Sequence, residues 1–255
     1  MYELNEGAVP LDRALTTMLQ QYWDSPLARP RPGEYWLSTA PLLGTSQDQV
    51  SSTDNPYWEA LRWWPLSLLR RGYFATQPGI RELPELEEMR TLLYQAYAYA
   101  VPSPADIDWM ERILNGRAVA DVFAGGGYWA WQLAQKGVNV LATDAAPPRQ
   151  TYQPVLRMCA GTVITDRALF ICWPPGNSSA AYEALRVYEG DLLIYCGEIN
   201  DGCHGDDAFF AELHYNWRLM SMSPAHVTWD CLSDVLVAFE RKQPRRPGNL
   251  WGMRR

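Results

Sequence analysis

The sequence predicts an α/β protein in which a doubly wound, mostly parallel sheet of seven strands ends in an antiparallel hairpin and follows a helical and loop-rich cap. Short apolar segments alternate with amphipathic ones in the second half of the chain, as strands and helices do in such sheets. The first apolar segment, residues 118–123, leads directly into the glycines of residues 125–127. A strand that breaks into glycines before a helix is typical of open α/β sheets.

Composition changes near residue 103 and predicts three parts. Residues 1–103 are rich in proline and aromatic side chains and are expected to form the cap. Residues 104–242 carry the alternation of strands and helices and are expected to form the ligand-binding domain. Residues 243–255 are expected to form a basic C-terminal tail.

Within the cap, apolar residues recur at helical spacing over residues 10–22 and over residues 84–99, which predicts a helix in each segment. Residues 25–56 are rich in Pro, Ser, Gly and Asp, which favours a loop. Trp58, Leu61, Trp64 and the Leu68–Leu69 pair predict a short helix. Pro65 is expected to break it, because proline lacks the amide hydrogen that a helix interior requires.

The second half begins with a predicted helix, since Ser103 can cap it and Pro104 is preorganised for its first position. Further helices are expected at residues 178–188 and from an acidic cap at Asp206 or Asp207 to about residue 220. The last two strands should pair as a hairpin because four residues are too few for a crossover. The predicted strands are residues 118–123, 138–143, 153–156, 168–173, 191–196, 226–229 and 234–240, with the third strand and the helix after it both expected within residues 145–167.

The charge balance disfavours a general nucleic-acid binder. The 255 residues carry a formal net charge of −7, whereas binding to DNA or RNA depends mainly on Lys and Arg that neutralise phosphates. The basic residues of the tail could contact RNA or an acidic partner, but a solvated C-terminus is the favoured explanation. The basic residues of the last fifteen positions, which include this tail, are Arg241, Lys242, Arg245, Arg246, Arg254 and Arg255.

Cysteine usage and the chain's beginning both indicate a cytoplasmic protein. The five cysteines are irregularly spaced and contain no CxxC pair, which favours reduced thiols over a disulfide framework and predicts no metal site. The first residues lack the basic and apolar regions of a signal peptide, and no apolar stretch approaches the roughly 20 residues that span a bilayer.

An acidic residue accompanies the glycine turn on each of the first two predicted strands. Asp121 lies in the first strand and Asp144 ends the second. Glycine lets the backbone approach a ligand closely, and an acid at the end of the second strand can accept hydrogen bonds from a ribose. This spacing predicts a site for an adenosine-containing cofactor. Residues 125–130 also satisfy the dinucleotide pattern G-x-G-x-x-G/A, so nicotinamide dinucleotides are an alternative.

The acid within the first strand favours a different cofactor, because a carboxylate there could meet an ammonium group. The segment resembles motif I of class I S-adenosylmethionine-dependent methyltransferases, in the Asp-x-Phe-Ala-Gly-x-Gly form of many nucleic-acid methyltransferases. The resemblance implies a Rossmann-like fold and S-adenosylmethionine as cofactor, with Asp144 holding the ribose. The residues that it places along the methionine half are Asp121, Phe123, Ala124, Gly125 and Gly127.

The fourth predicted strand runs through Cys172 and Trp173 into Pro174 and Pro175, where the fourth motif of the resemblance would lie. Amino-group methyltransferases have a polar residue before the two prolines and an aromatic residue after them. Here Trp173 and Gly176 occupy those positions, so a nucleobase amine is disfavoured as acceptor. Cys172 and Trp173 are expected to contact the cofactor. The Gly-Tyr-Trp and Trp-Pro-Pro sequences are also similar to a branch of methyltransferase-like proteins.

Glu198 and His204 are the predicted catalytic residues, because Glu198 ends the fifth strand and His204 lies in the loop after it. A salt bridge for Glu198 and a plain loop position for His204 are the alternatives. Asp206 is expected to cap a helix, and Cys172 to be a small buried residue. The further residues considered at the loop ends are Tyr128, Trp173 and Asp201.

Tryptophans of the cap could form a lid over an apolar or aromatic substrate, or the core of a helical layer, which is slightly favoured. They include Trp23, Trp36, Trp58, Trp63 and Trp64. The sequence therefore predicts a methyltransferase that acts on a small molecule, with nucleic acid an unlikely partner. Two alternatives are an RNA or DNA methyltransferase recruited through its tail and a non-catalytic protein that binds the cofactor or a partner. A reductase would be expected to carry a Tyr-x-x-x-Lys pair, which the sequence lacks.

Overall fold

The structure is a computed structural model that describes residues 54–61, 69–71, 84–162, 164, 166–199, 204–224, 226–229, 232 and 234–243, with backbone alone at residues 60, 69–71 and 84–89. The predicted helix over residues 10–22, most of the predicted loop and the tail beyond residue 243 lie outside these residues. The elements are α1 (Pro56–Leu61), β1 (Leu69–Arg71), α2 (Pro84–Ala96), α3 (Pro104–Leu114), β2 (Val119–Asp121), α4 (Tyr128–Gln135), β3 (Val140–Asp144), β4 (Val155–Arg157), β5 (Ala168–Cys172), α5 (Ala180–Val187), β6 (Leu192–Glu198), α6 (Asp207–Asn216), β7 (Trp217–Met222), β8 (Val227–Trp229) and β9 (Asp234–Arg241).

The main sheet contains seven strands in the order β4-β3-β2-β5-β6-β9-β7. The pairs from β4 to β6 are all parallel, and β9 is antiparallel to both β6 and β7. This confirms the predicted α/β class with a mostly parallel sheet and an antiparallel pair near its C-terminal end. The strand order reverses direction at β2 and β5, which is where open α/β sheets form their ligand crevice.

Alternating side chains of the central strands supply two separate cores. On one face, Phe170 of β5 and Ile194 of β6 pack with α3 and α4. On the other face, Ile171 of β5 and Tyr195 of β6 pack with α5 and α6. Strands that are apolar on both faces need a helical layer on each side, which explains the near-continuous apolar composition of β5 and β6.

A third, aromatic cluster joins the described part of the cap to the sheet domain. Tyr57 and Tyr97 stack with their ring centroids 4.9 Å apart, and Tyr128 contacts both rings edge-on. The hydroxyl of Tyr128 donates to Asn55 and accepts from the Tyr57 amide. The division of the chain at residue 103 stays a prediction. The buried members of the cluster are Tyr57, Trp58, Leu61, Leu93, Tyr97, Val101, Tyr128, Tyr152, Val227 and Trp229.

The predicted C-terminal hairpin is wrong in one of its strands. Residues 226–229 do not pair with the last strand; β8 pairs with β1 in a separate two-stranded sheet. The antiparallel partner of β9 is β7, a segment that the sequence assigns largely to the end of the preceding helix, at about residue 220. The helix α6 ends at Asn216 because the edge of β9 offers residues 217–222 a row of backbone hydrogen bonds, and this long-range pairing overrides local helical spacing.

Two other expectations need correction. Leu69 belongs to β1 rather than to the short helix around Trp58, which ends at Leu61. The expected helix within residues 145–167 is not found among the described residues of that segment, where β4 is the single regular element.

Both predicted helix caps are confirmed. The Asp106 amide donates to the Ser103 hydroxyl across 3.1 Å, and the Phe209 amide donates to the Asp206 carboxylate across 2.9 Å. Among the described residues, no helix combines the length and the apolar character needed to cross a bilayer.

Candidate functional site

A cavity of about 680 Å³ lies at the carboxyl ends of the parallel strands, within the volume range of small-molecule sites. The glycine turn after β2 forms its floor. Gly125 and Gly127 have φ values of 51° and 75°, in the left-handed region that glycine adopts without strain. Of the residues predicted to bind a cofactor, those that line the cavity are Asp121, Phe123, Ala124, Gly125, Asp144, Cys172 and Trp173. Gly127 is not among the lining residues and instead begins α4.

Asp144, at the end of β3, links the glycine turn after β2 to β3. Its Oδ2 accepts from the Gly125 amide across 2.9 Å, and its Oδ1 accepts from the Ala146 amide across 2.8 Å. Each carboxylate oxygen has a further lone pair available. Asp144 can therefore hold the turn in place and still accept a hydrogen bond from a ligand in the cavity.

Asp121 at the end of β2 is a buried acid with an unsatisfied oxygen. Its side chain is about 1% exposed, and its Oδ1 has no hydrogen-bond partner in the described part of the chain. Burial raises the pKa of Asp121 to about 8; a hydrogen bond from the Phe123 backbone opposes this increase and the Asp144 carboxylate adds to it. Such an oxygen is costly to maintain, which favours a role toward a ligand that carries a hydrogen-bond donor or a positive charge.

Replacing Asp121 with Asn is expected to stabilise the ligand-free protein, and more strongly at higher pH. The pKa of Asp121 in the folded wild type lies above the unfolded value of about 4. The stability that the wild type gains from its protonated carboxyl is therefore complete below pH 4 and is lost as the pH rises toward 8. The difference in unfolding free energy between the two proteins should grow by up to about 1.4 kcal/mol per pH unit. Urea denaturation at pH 5, 6.5 and 8 measures it, with Asp166→Asn at an exposed site as control. A difference that does not change with pH would contradict the buried, protonated state.

Gly127 is expected to tolerate no side chain, because a Cβ there would lie 2.9 Å from Val155 Cγ2 in addition to the strain of its positive φ. Gly127→Ala should cost about 2–4 kcal/mol of unfolding free energy, whereas left-handed backbone alone costs about 1–2 kcal/mol. Gly137→Ala is the matched control, since Gly137 has a similar φ of 82° and a Cβ added there would meet no atom within 4 Å. Equal losses in the two variants would show that the contact with Val155 contributes nothing.

Trp173, directly after β5, has a constrained conformation at the cavity wall. Its φ of 47° lies in the left-handed region, which is unusual for a bulky residue and costs of order 1–3 kcal/mol. The backbone amide donates to the Cys196 carbonyl across 2.8 Å, and the indole Nε1–H donates to Asp234 Oδ2 across 3.2 Å. Its ring stacks on Tyr99 with 7° between the planes and lies 4.1 Å from the His204 ring. The backbone, the indole nitrogen and both neighbouring rings therefore fix this side chain.

Asp234 belongs to a fully buried ionic network. His226 Nδ1 lies 3.0 Å from Asp106 Oδ2, and its Nε2 lies 3.6 Å from Asp234 Oδ2. The Ser223 hydroxyl donates to Asp106 across 2.6 Å, and the Thr228 hydroxyl donates to Asp234. Burial alone would lower the pKa of His226, but the adjacent Asp106 carboxylate raises it to about 10. Burial alone would raise the pKa of Asp234, but its hydrogen bond with His226 holds that pKa below its usual value. Asp234 is therefore anionic and His226 cationic near neutral pH.

Three members of this region are of the types that bind metal ions. Cys196, His226 and Asp234 bring a sulfur, a nitrogen and an oxygen within 4.8 Å of one another, and all three residues are buried. Burial raises the pKa of the Cys196 thiol, which keeps its proton on the sulfur. Because His226 already pairs with the carboxylates of both Asp106 and Asp234, we interpret the group as an ion-pair network.

The two predicted catalytic residues, Glu198 and His204, lie close together, and His204 packs against Trp173. The Glu198 amide donates to His204 Nδ1 across 3.2 Å, and Glu198 Oε2 lies 4.0 Å from the same nitrogen. His204 is 4% exposed, and burial lowers its pKa. Neither residue is among those lining the cavity. Since Nδ1 already accepts a hydrogen bond, the ring could exchange a proton only through Nε2, and the catalytic assignment stays a prediction.

Two other candidates from the loop ends support the fold. Tyr128 is buried and donates a hydrogen bond to Asn55, and Asp206 caps α6. Trp58 lies in the aromatic cluster between the cap and the sheet domain, which favours the core alternative for this residue. Asp201 and the remaining cap tryptophans fall outside the described residues.

Sequence reasoning missed the aromatic lining of the cavity, although the closely spaced tyrosines before Pro102 were a usable signal. These lining residues are Tyr94, Tyr97, Tyr99, Trp129 and Tyr152.

Comparisons with known proteins show limited similarity. No protein-family model and no curated protein match the chain. Three solved structures are similar in part. Magnesium protoporphyrin IX methyltransferase from Synechocystis PCC 6803 with bound S-adenosylmethionine is 11% identical over 79% of this chain and 97% of its own, with a TM-score of 0.40. 1,6-Didemethyltoxoflavin-N1-methyltransferase from Burkholderia thailandensis is 11% identical over 66% of this chain and 94% of its own, with a TM-score of 0.39. The S-adenosylmethionine-dependent methyltransferase SibL is 10% identical over 90% of this chain and 74% of its own, with a TM-score of 0.41.

Proposed function

We propose that this protein is an S-adenosylmethionine-dependent methyltransferase that acts on a small molecule, with the cofactor bound in the cavity over the glycine turn. The observation that carries the proposal is the pair of acids flanking that turn. Asp121, with its unsatisfied buried oxygen, and Asp144, with free lone pairs, both line one cavity of about 680 Å³. A ligand that offers an ammonium group at one point and a ribose at another satisfies both acids.

The residues present fit this cofactor. A Cβ at Gly125 would meet no protein atom within 4 Å, so the turn leaves room for a ligand against its backbone. Asp144 would accept from the ribose hydroxyls, and Asp121 would ionise beside the ammonium group. Phe123, Ala124 and Gly125 would line the methionine half, while Gly127 would fix the start of α4.

When bound, S-adenosylmethionine would supply a methyl group on a positively charged sulfur: an acceptor's lone pair would bond to the methyl carbon while the carbon–sulfur bond breaks, its electron pair going to the sulfur of the departing S-adenosylhomocysteine. The protein's contribution is to hold the acceptor near attack distance and to keep water out. Cys172 and Trp173 at the end of β5 form part of the wall that does this. The Tyr94–Tyr99 segment of the cap lines the same cavity, which supports a substrate-shaping role for this segment.

The strand order disfavours the dinucleotide alternative. Dinucleotide-binding sheets of the doubly wound type have the order 3-2-1-4-5-6. When the strands of this sheet are numbered along the chain, the order is 3-2-1-4-5-7-6, with the seventh strand antiparallel. The net charge of −7 likewise favours a small acceptor over nucleic acid.

Isothermal titration calorimetry with S-adenosylhomocysteine and with NAD⁺, each added to the wild-type protein, tests the proposal. S-adenosylhomocysteine is expected to bind with a stoichiometry of about one and NAD⁺ not to bind. Binding of NAD⁺ alone, or of neither ligand, would refute the proposed function.

A further inference from the structure

Tyr99 is an exposed ring held in a fixed orientation at the cavity. It is 57% exposed, yet it stacks on Trp173 with a centroid distance of 5.2 Å and 7° between the planes. Tyr94 contacts both rings, at 5.2 Å from Tyr99 and 5.8 Å from Trp173. We refer to Tyr94, Tyr99 and Trp173 as the aromatic platform. All three line the cavity.

The sheet places this platform on the side of the glycine turn opposite Asp144. β2, which leads into the turn, lies between β3, which ends in Asp144, and β5, which leads into Trp173. If Asp144 holds the ribose, the adenosyl group lies on the β3 side. The platform then lies toward β5, in the part of the cavity that remains for the acceptor.

Asp234 anchors the platform to the protein interior. It is 1% exposed and accepts the Trp173 indole N–H, while Thr228 and His226 hold the carboxylate from its other sides. The other charged group facing His226 is Asp106, which stays paired with it. A ring fixed in this way loses little conformational entropy when a ligand stacks on it.

We infer that the acceptor is a planar aromatic or heteroaromatic small molecule that stacks on the Tyr99 ring, and that Asp234 is a positioning residue that acts through Trp173. This inference rests on the proposed function and names the substrate class of the same site. Offset stacking of aromatic rings is favourable beyond the area that it buries. A saturated ring of the same size lacks the flat face needed to extend the Trp173–Tyr99 stack.

The first test is saturation-transfer NMR with the protein saturated by S-adenosylhomocysteine. The probes are 2-naphthol and 1-naphthol, each compared with its saturated counterpart, decahydro-2-naphthol and decahydro-1-naphthol. The planar probes are expected to bind and the saturated ones to bind at least about tenfold more weakly. Tyr99→Ala should weaken the planar probes about tenfold, while Tyr99→Phe should retain them. Tyr215→Ala is the matched control, since Tyr215 is 71% exposed elsewhere on the surface.

Failure of S-adenosylhomocysteine to bind would refute the proposed function before the probes are added. Normal binding of S-adenosylhomocysteine, with no preference for planar probes or no effect of Tyr99→Ala, would overturn this inference alone.

The second test separates positioning by Asp234 from a general structural role. Asp234→Asn keeps an oxygen that can accept the indole N–H, whereas Asp234→Ala removes it; in both variants His226 keeps Asp106 as its partner. Asp234→Ala is expected to weaken 2-naphthol binding about tenfold and to leave S-adenosylhomocysteine affinity within threefold, and Asp234→Asn should restore most of the loss. Equal weakening of both ligands, or no rescue by Asn, would overturn the positioning role. Stoichiometric metal in the purified protein that Asp234→Asn removes would also overturn it.

Discussion

Asp144→Ala is expected to lower the affinity for S-adenosylhomocysteine by at least about 100-fold, the largest effect on binding of any substitution considered. The ribose of the ligand would lose its hydrogen bonds to the Asp144 carboxylate, each worth about 1.5–3 kcal/mol because the acceptor is charged. The change also leaves the amides of Gly125 and Ala146 without their acceptor, so the glycine turn loses its tie to β3. Calorimetry of the variant against the wild type measures the combined loss.

Asp166→Ala is the matched control for this prediction, since the Asp166 side chain is 76% exposed and its nearest ion-pair partner lies 3.7 Å away. The control is expected to bind S-adenosylhomocysteine like the wild type. Circular dichroism establishes that both variants are folded. A folded Asp144→Ala variant that keeps its affinity within threefold would show that the ribose does not depend on this acid.

Asp106→Ala is expected to cost about 3–5 kcal/mol of unfolding free energy, because it removes the closer of the two carboxylates from the buried His226 imidazolium and also removes the acceptor of the buried Ser223 hydroxyl. Asp106 accepts hydrogen bonds from both Ser223 and His226 and is completely buried. Asp108 lies on the same helix and forms a partly exposed salt bridge with Lys136. Asp108→Ala, the control, should therefore cost about 1 kcal/mol or less. Urea denaturation compares the two.

The same network predicts a pH dependence with a definite sign. The folded-state pKa of His226 is about 10, above its unfolded value of about 6.5. The stability that it contributes is therefore complete below about pH 6.5 and is lost as the pH rises through 10. The difference in unfolding free energy between wild type and His226→Gln should narrow between pH 7 and pH 10. A difference between wild type and His226→Gln that widens with pH would contradict a buried imidazolium. Equal losses of unfolding free energy in Asp106→Ala and Asp108→Ala would contradict it as well.

Most of the sheet could be predicted because its strands carry local signals. The glycines after β2, the acid that ends β3 and the prolines after β5 each mark a strand end by simple backbone chemistry. The caps at Ser103 and Asp206 were predictable for the same reason, since they depend on one side chain and a nearby amide. These local signals also located most of the cavity floor.

The features that the sequence did not reveal depend on contacts between distant segments. The end of α6 is set by the pairing of β7 with β9, and β8 leaves the main sheet to pair with β1. His226 meets Asp106 from 120 positions away in the chain, so no spacing rule could join them. The aromatic platform likewise brings Tyr99 of the cap onto Trp173 of the sheet domain.

The central claim is that Asp121 and Asp144 hold the two ends of one S-adenosyl ligand. A crystal structure of the protein with S-adenosylhomocysteine tests this claim most directly. The account predicts Asp144 oxygens within about 3 Å of the ribose hydroxyls and Asp121 on the side of the ammonium group, over the backbone of Gly125. A ligand bound elsewhere, or one whose ribose has no contact with Asp144, would contradict it.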